Sequence, residues 1–135
     1  MAEEQKKTNG FETPVNILWD NVLLIPVFGT MDSTRAQAIM ETILQKIIKT
    51  GSRVIILDIL GVDTVDSGVA NHIIKITKAC RLLGCETIIS GISPEIAITL
   101  VNLGVTLSEV VTTSTLKDAV SRAFKNLGLK ICKEK

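Results

Sequence analysis

The chain has 135 residues, the size of one ordinary domain, and 46% of them are hydrophobic, enough to form one core. Its 15 Lys and Arg against 14 Asp and Glu leave a net charge of +1, which argues against a nucleic-acid or anionic-membrane binder. Three Cys, one His and an aromatic fraction of 3% argue against a disulfide framework, a His-rich metal site and an aromatic ligand cage. Because the sequence shows no apolar signal segment and no membrane span, we expect a cytoplasmic protein that contacts no membrane.

The first elements predicted along the chain are two paired strands. Residues 1–13 are mostly polar and charged, and we expect them to form a flexible leader. Apolar residues follow at 15–19 and 22–28, on either side of the turn signal Asp20-Asn21. Two short apolar runs separated by such a turn predict an antiparallel hairpin.

A helix, a buried strand and a second helix are predicted next. Apolar residues recur at helical spacing over residues 36–48, and Gly51 is typical of a helix end. The uninterrupted apolar run 54–59 is typical of a central parallel strand that is covered on both faces. A second helix is predicted over residues 68–83.

The pattern of strand followed by helix continues to the end of the domain. The remaining elements are a strand, a helix opened by Ser93, a short strand and a helix opened by Ser114, at residues 86–90, 93–103, 110–112 and 114–127. We expect one domain over residues 14–130, followed by a basic tail at 131–135. The order predicts an α/β fold with a mostly parallel mixed β-sheet, one antiparallel edge strand and about four helices.

The loop after the buried strand holds the densest group of polar side chains. Asp58, Asp63 and Asp66 precede Ser67 and Gly68 in a short stretch of the chain. In open α/β sheets, the carboxyl ends of the strands are where ligands and partners bind. Ser67 is predicted to be the N-cap of the next helix, a role worth about 1 kcal/mol, and Gly68 leaves its hydroxyl accessible. The spacing leaves two interpretations open: a serine that only caps the helix, and a serine with a chemical function.

The sequence lacks the motifs that mark common enzymes and nucleotide binders. There is no glycine-rich dinucleotide loop, no P-loop and no nucleophile elbow. Cys80 lies on an apolar helical stripe and is predicted to be a core residue, while Cys85 is expected in a turn and Cys132 in the tail. We therefore expect no catalytic residue, no cofactor and no metal site. An enzyme that uses the three carboxylates of the acidic loop with Mg²⁺ stays open as an alternative.

Three stretches of the chain resemble the STAS domain of bacterial anti-sigma-factor antagonists, and the resemblance extends over residues 14–128. The first is V-I-I-L-D-I leading to V-D-S at residue 67, the second is G-I-S-P-E-I-A-I-T-L at residues 91–100, and the third is N-L-G-V at residues 102–105. The aspartate-hydroxyl pair before a helix is typical of the antagonist branch. The second stretch is similar to stressosome proteins, the RsbR scaffolds and RsbS antagonists.

The resemblance implies a non-enzymatic protein that is regulated by phosphorylation. Ser67 would be the main acceptor for a serine protein kinase of the GHKL type, and a PP2C-like phosphatase would remove the phosphate. The unmodified domain would sequester the kinase, and phosphorylation would release it in stress signalling. Thr99 is the best match to a second acceptor that scaffold members carry, and Ser93 is a weaker match. Further implied partners are other STAS paralogues and copies of the chain itself, in a homodimer or a larger assembly.

The surface expected to bind a partner surrounds Ser67 and continues along the following helix. Its members are Asp63, Asp66, Gly68, Asn71 and Lys75. A plainer interpretation of this polar ridge is an ordinary solvated helix face. Another class of function also stays open, a STAS sensor module that binds a small molecule or a nucleotide. The sequence equally fits a stand-alone antagonist and the C-terminal domain of a scaffold paralogue.

Overall fold

The computed structural model describes residues 13–105 and 110–134, in which the chain forms five strands and four helices. In chain order these elements are β1 Asn16–Trp19, β2 Val22–Gly29, α1 Ser33–Thr50, β3 Val54–Val62, α2 Ser67–Leu82, β4 Glu86–Ser90, α3 Pro94–Asn102, β5 Val111–Thr112 and α4 Leu116–Asn126. The predicted α/β class, the element order and the number of helices are confirmed. The predicted leader, apart from residue 13, lies outside the described residues.

The strands form one mixed sheet in the order β1-β2-β3-β4-β5. β1 pairs with β2 in antiparallel orientation through a tight turn at Asn21, whose φ of 68° is a left-handed value that asparagine tolerates. The pairs β2–β3, β3–β4 and β4–β5 are all parallel, as expected when each crossover contains a helix. The predicted antiparallel edge strand is therefore confirmed, and β3 lies at the centre of the sheet.

Both faces of the sheet are covered, which explains the uninterrupted apolar run of β3. Ile55 and Leu57 point into a core shared with α1 and α2, while Val54 and Ile56 point into a second core beneath α4. Successive residues of a strand face opposite sides, so a strand buried on both sides is apolar at every position.

Capping hydrogen bonds set where the helices begin and end, and one of these positions differs from the predicted boundary. α1 begins after Asp32, whose carboxylate accepts a hydrogen bond from the Arg35 backbone N–H at 2.8 Å, and it ends at Gly51 with φ 68°. The N-cap of α4 lies one residue later than predicted, because Thr115 and not Ser114 accepts from the Asp118 N–H, at 3.1 Å. Within the described part of the chain, no helix has the length and apolar character needed to cross a membrane.

Candidate functional site

The carboxyl ends of β2 and β3 extend side by side into the loop that carries the acidic residues. β3 continues three residues past its predicted end, to Val62, because it bulges against β2 between Pro26 and Phe28. Gly61 is required there, since a Cβ atom at this position would lie 2.8 Å from the Phe28 Cβ. The extension brings the start of the acidic loop alongside the end of β2.

Asp63 is held to the end of β2 by two hydrogen bonds. Its backbone N–H donates to the Gly29 carbonyl at 2.9 Å, and its carboxylate accepts from the Thr30 hydroxyl at 3.2 Å. Arg35 fastens the same loop from α1, since its guanidinium donates to the Phe28 carbonyl and, at 2.9 Å, to the Thr30 carbonyl. Sequence reasoning missed Thr30 and Arg35. The available signal was the position of Thr30 directly after β2, next to the acidic loop, and of Arg35 in the first turn of the helix that follows.

Asp58 has a structural role at the junction of β3 and β4. Its carboxylate accepts from the hydroxyl of Ser90 at 3.0 Å and from the Leu60 backbone N–H at 3.3 Å. Ser90 is buried, so Asp58 satisfies a polar group that would otherwise lack a partner. Gly91 follows with φ 83°, and a Cβ there would lie 2.5 Å from the Leu60 nitrogen, so the two loops touch through their backbones.

The three carboxylates of the acidic loop have separate partners. Asp58 binds Ser90, Asp63 binds Thr30, and Asp66 binds the first turn of α2. In residues 13–105 and 110–134, no group of three or more His, Cys, Asp or Glu side chains is arranged to hold a metal ion. Each carboxylate of the acidic loop is thus engaged with a different partner, and the three do not converge on one point.

The prediction that Ser67 caps α2 is wrong, because Asp66 is the N-cap. The Asp66 backbone is extended, with φ −89° and ψ −174°, and its carboxylate accepts from the Val69 N–H at 2.9 Å. Ser67 is therefore the first helical residue. Its side chain is exposed, and its hydroxyl has no hydrogen-bond partner among the described residues. Gly68 is exposed beside it and adds no side chain that would shield the hydroxyl.

The exposed face of α2 is basic along its length. Asn71 and Lys75 are exposed on the turns that follow Ser67, and Lys78 and Arg81 continue toward the end of the helix. No acidic residue occurs anywhere in α2. Of the five residues predicted to bind a partner, Asp63 lies beside the end of β2, Asp66 caps α2, Gly68 adjoins the serine, and Asn71 and Lys75 lie on the exposed face.

The two weaker phosphorylation candidates lie on α3. Ser93 is the N-cap, as predicted, and its hydroxyl accepts from the Ile96 N–H at 3.3 Å. Thr99 is half-buried in the helix, and its hydroxyl donates to the Glu95 carbonyl at 3.0 Å. Both hydroxyls are already hydrogen-bonded within the helix, unlike the hydroxyl of Ser67.

Two of the three cysteines are buried under the end of α2. Cys80 is a core residue, as predicted, and Cys85 is buried just before β4. Burial raises the pKa of the Cys80 thiol. The pKa of the Cys85 thiol is raised to about 12, mainly by burial and to a smaller extent by the nearby Cys80 and Glu86. Such thiols are overwhelmingly protonated at neutral pH, and the protonated form is a poor nucleophile.

Comparison with known proteins gives consistent matches along almost the whole domain. The family model of the STAS domain matches residues 16–129. The chain is 42% identical over 118 residues to the RsbT co-antagonist protein RsbRA of Bacillus subtilis, covering 87% of this chain and 43% of that protein. It is 38% identical over 128 residues to RsbRD of the same organism, covering 95% of this chain and 45% of that protein. The chain thus spans less than half the length of these relatives.

Solved structures show the same fold. A variant of Moorella thermoacetica RsbS with a serine-to-glutamate substitution superposes with a TM-score of 0.73 at 26% identity, covering 87% of this chain and 98% of that one. A chain from a structure of the stressosome, described as a signal integration and transduction hub, gives a TM-score of 0.66 at 26% identity, covering 85% of this chain and 98% of that one. The chain belongs to the STAS domain family and is related to the RsbR co-antagonists and RsbS stressosome components.

Proposed function

We propose that this chain is a phosphorylation-controlled STAS subunit of a stressosome-like assembly, which holds an RsbT-type serine kinase and releases it when Ser67 is phosphorylated. The observation that carries the proposal is the exposed Ser67 hydroxyl, which has no partner among the described residues and lies at the first position of α2. The similarity to RsbT co-antagonists supports the choice of kinase.

The division of roles between Asp66 and Ser67 suits a reversible modification. Because the Asp66 carboxylate already caps α2, the Ser67 hydroxyl is free to react without opening the helix. A phosphate at Ser67 would add about −1.5 to −2 charges at neutral pH. The positive end of the helix would stabilise it by roughly 0.3–1 kcal/mol, while each close carboxylate would oppose it by about 1 kcal/mol. These contributions nearly cancel, so we expect little change in the fold of the isolated domain.

A bound partner would experience the modification far more strongly than the domain itself. In the sequence, Ser67 follows the carboxylates of Asp63 and Asp66 and precedes the exposed side chains of Asn71 and Lys75 on the same helix. A dianion in the middle of this surface would have to be buried without a counter-charge when a partner covers it. Burying an unpaired charge is costly, so the complex dissociates while the free domain stays folded.

The proposal also covers the localisation of the protein, its other partners and a second phosphorylation site. The protein acts in the cytoplasm as a binding module and not as an enzyme, and it uses no cofactor and contacts neither nucleic acid nor membrane. A PP2C-like phosphatase restores the unmodified state. Other STAS paralogues join the chain in the assembly. Thr99, and less favourably Ser93, are proposed as a second acceptor.

Mass spectrometry after incubation with an RsbT-type kinase and ATP tests the proposal. We expect phosphate at Ser67 in the parent chain and none at this position in Ser67→Ala. The matched control is Ser121→Ala, which removes another exposed helical serine and should leave labelling unchanged. Long exposure of Ser67→Ala tests the second acceptor, which we expect at Thr99.

The same variants separate binding from modification. We expect Ser67→Ala to bind the kinase as tightly as the parent, because the truncation leaves the Asp66 cap intact, and Ser67→Glu to bind at least about tenfold more weakly, equal to about 1.4 kcal/mol. Labelling of Ser67→Ala as complete as that of the parent would disprove the assignment of Ser67. Equal binding by the parent and Ser67→Glu would disprove release by charge.

A further inference from the structure

We propose that Thr30 and Arg35 are positioning residues for the phosphorylation of Ser67. Together they clamp Asp63 to the end of β2, and this clamp fixes residues 63–66, the segment that leads into α2. Their role rests on the proposed function, because it concerns how the serine is presented to the kinase. It adds two residues that act without having to touch the kinase.

The first turn of α2 is the part of the helix that its own hydrogen bonds fix least. The N–H groups of the first helical residues have no partner within a helix, so the geometry around Ser67 depends on the chain that enters the helix. The Asp66 carboxylate holds this turn from one side, through its bond to the Val69 N–H. On the other side, residues 64–66 form neither helix nor strand. A kinase that binds Ser67 meets this segment too, so its position bears on recognition of the serine.

Two hydrogen bonds from the end of β2 hold Asp63, where the segment begins. The Asp63 N–H donates to the Gly29 carbonyl at 2.9 Å, and the Thr30 hydroxyl donates to the Asp63 carboxylate at 3.2 Å. Thr30 and Asp63 are both exposed, so water competes for the bond between their side chains. This bond therefore depends on a threonine that is already held in the right place.

Arg35 supplies that support, because it holds the chain on both sides of Gly29. Its guanidinium donates to the Phe28 carbonyl and, at 2.9 Å, to the Thr30 carbonyl, and it lies 5.6 Å from the centroid of the Phe28 ring. Gly29 itself adopts φ 78°. Glycine has wide conformational freedom, so without the arginine the direction in which Thr30 leaves the strand would be poorly fixed.

The sheet around the clamp is held by other contacts. Phe28 pairs with Gly61 in the register of β2 and β3, and Val62 and Val65 pack against the larger core. Removal of the clamp should therefore loosen the chain around Asp63 while the sheet and α2 stay folded.

A loosened segment lowers the fraction of molecules that are ready to bind the kinase productively. The apparent affinity falls in proportion to that fraction, whereas the rate within the complex, once formed, does not. We therefore expect loss of the clamp to raise the KM for phosphorylation of Ser67 and to leave kcat close to that of the parent.

Phosphorylation kinetics of the full chain, with an RsbT-type kinase and ATP, test the clamp through a pair of threonine variants. Thr30→Val removes the hydroxyl and keeps the shape of the side chain, and it should raise KM at least about threefold. Thr30→Ser keeps the hydroxyl and should match the parent. Arg35→Ala should raise KM at least as much as Thr30→Val. The matched control is Thr42→Val, which removes an exposed hydroxyl that donates to the Ala38 carbonyl within α1, and its KM should equal that of the parent.

Amide hydrogen exchange, followed by NMR, gives a second measurement that needs no kinase. The Asp63 N–H exchanges when the segment detaches from the Gly29 carbonyl, so its exchange rate reports opening of the clamp. We expect this rate to be at least about threefold higher in Thr30→Val and Arg35→Ala than in the parent, and unchanged in Thr30→Ser and Thr42→Val. Circular dichroism checks folding, and Thr30→Val decides the test if Arg35→Ala fails to fold.

Three results would overturn the inference. The first is a Thr30→Val chain with the KM and the Asp63 exchange rate of the parent. The second is a rise of KM in Thr30→Ser or Thr42→Val equal to that in Thr30→Val, which would exclude the Thr30 hydroxyl as the cause. The third is a fall of kcat at unchanged KM. A parent chain that takes up no phosphate at Ser67 would instead refute the proposed function, and with it the role of the clamp, even where the exchange rates show that the clamp exists.

Discussion

At the scale of single residues, Asp66 caps α2 and Ser67 presents the exposed hydroxyl, whereas the sequence analysis gave both roles to Ser67. Both residues are good N-caps, and either could have taken that role. The Asp66 carboxylate takes it, with an oxygen 2.9 Å from the Val69 nitrogen, and the serine becomes an exposed residue of the first turn. A modifiable hydroxyl next to a carboxylate cap can change its charge without removing a hydrogen bond from the helix.

Urea unfolding of two alanine variants tests this division of roles. We expect Asp66→Ala to lower the free energy of unfolding by about 1 kcal/mol, because the first turn of α2 loses its cap. We expect Ser67→Ala to change it by less than about 0.5 kcal/mol, as for other exposed positions without a partner. A larger loss in Ser67→Ala than in Asp66→Ala would show that the serine carries the cap in solution.

At the scale of elements, the end of α2 explains why two cysteines are buried together. Gly84 adopts φ 79° and donates to the Arg81 carbonyl at 2.9 Å, while the Cys85 N–H donates to the Cys80 carbonyl at 3.0 Å. This pair of bonds is the Schellman arrangement, which brings the residue after the glycine back against the last turn of the helix. Cys85 therefore enters the core directly before β4 begins.

The raised thiol pKa values predict a loss of stability in alkaline solution. The folded chain holds the Cys85 proton up to a pKa of about 12, whereas an unfolded thiol titrates near its ordinary value of 9.0. The stabilisation from this group is complete below the unfolded value and is lost as the pH rises toward the folded value. We expect the melting temperature of the parent to fall above pH 9, and that of Cys85→Ala to fall less steeply.

Cys132→Ala is the matched control for that experiment, because Cys132 is exposed and lies outside the core. Its melting temperature should follow the parent over the same pH range. The slope of melting temperature against pH is compared, and not the melting temperature itself, because Cys85→Ala also changes the packing of the core and shifts the whole curve. Parallel curves for the parent and Cys85→Ala would contradict a buried, protonated thiol at this position.

At the scale of the whole molecule, the two faces of the sheet are covered unequally. The larger core lies between the sheet and α1, α2 and α3, while α4 alone covers most of the other face. Ala119 and Ala123, both fully buried, let α4 approach the sheet closely, and Ile56 and Ile88 fill the space beneath it. β3 contributes side chains to both cores, so we expect substitutions in this central strand to lower the stability of the fold strongly.

An alanine substitution in the core beneath α4, compared with one at an exposed position of α1, tests how the fold is held. We expect Ile56→Ala to lower the free energy of unfolding by about 2–5 kcal/mol, because it leaves a cavity between α4 and the sheet. Ile48→Ala removes the same atoms from a side chain that is 72% exposed, and it should cost less than about 0.5 kcal/mol. Similar losses in the two variants, measured by urea unfolding, would contradict the central position of β3.

The sequence alone determined the order of the elements and the character of the central strand. Apolar residues at helical spacing, glycines at helix ends and the unbroken apolar run of β3 are local signals, and they depend on few neighbours. The same kind of signal identified Ser93 as an N-cap and placed Ser67 at the start of α2, because a cap needs only the next three residues.

The tertiary structure decided which residues of the carboxyl edge meet. Thr30 and Asp63 are 33 positions apart, and Asp58 and Ser90 are 32 apart, so their hydrogen bonds depend on the register of neighbouring strands. A bulge in that register carries β3 three residues past its predicted end. Register is set by packing on both faces of the sheet together, and no short stretch of sequence contains that information.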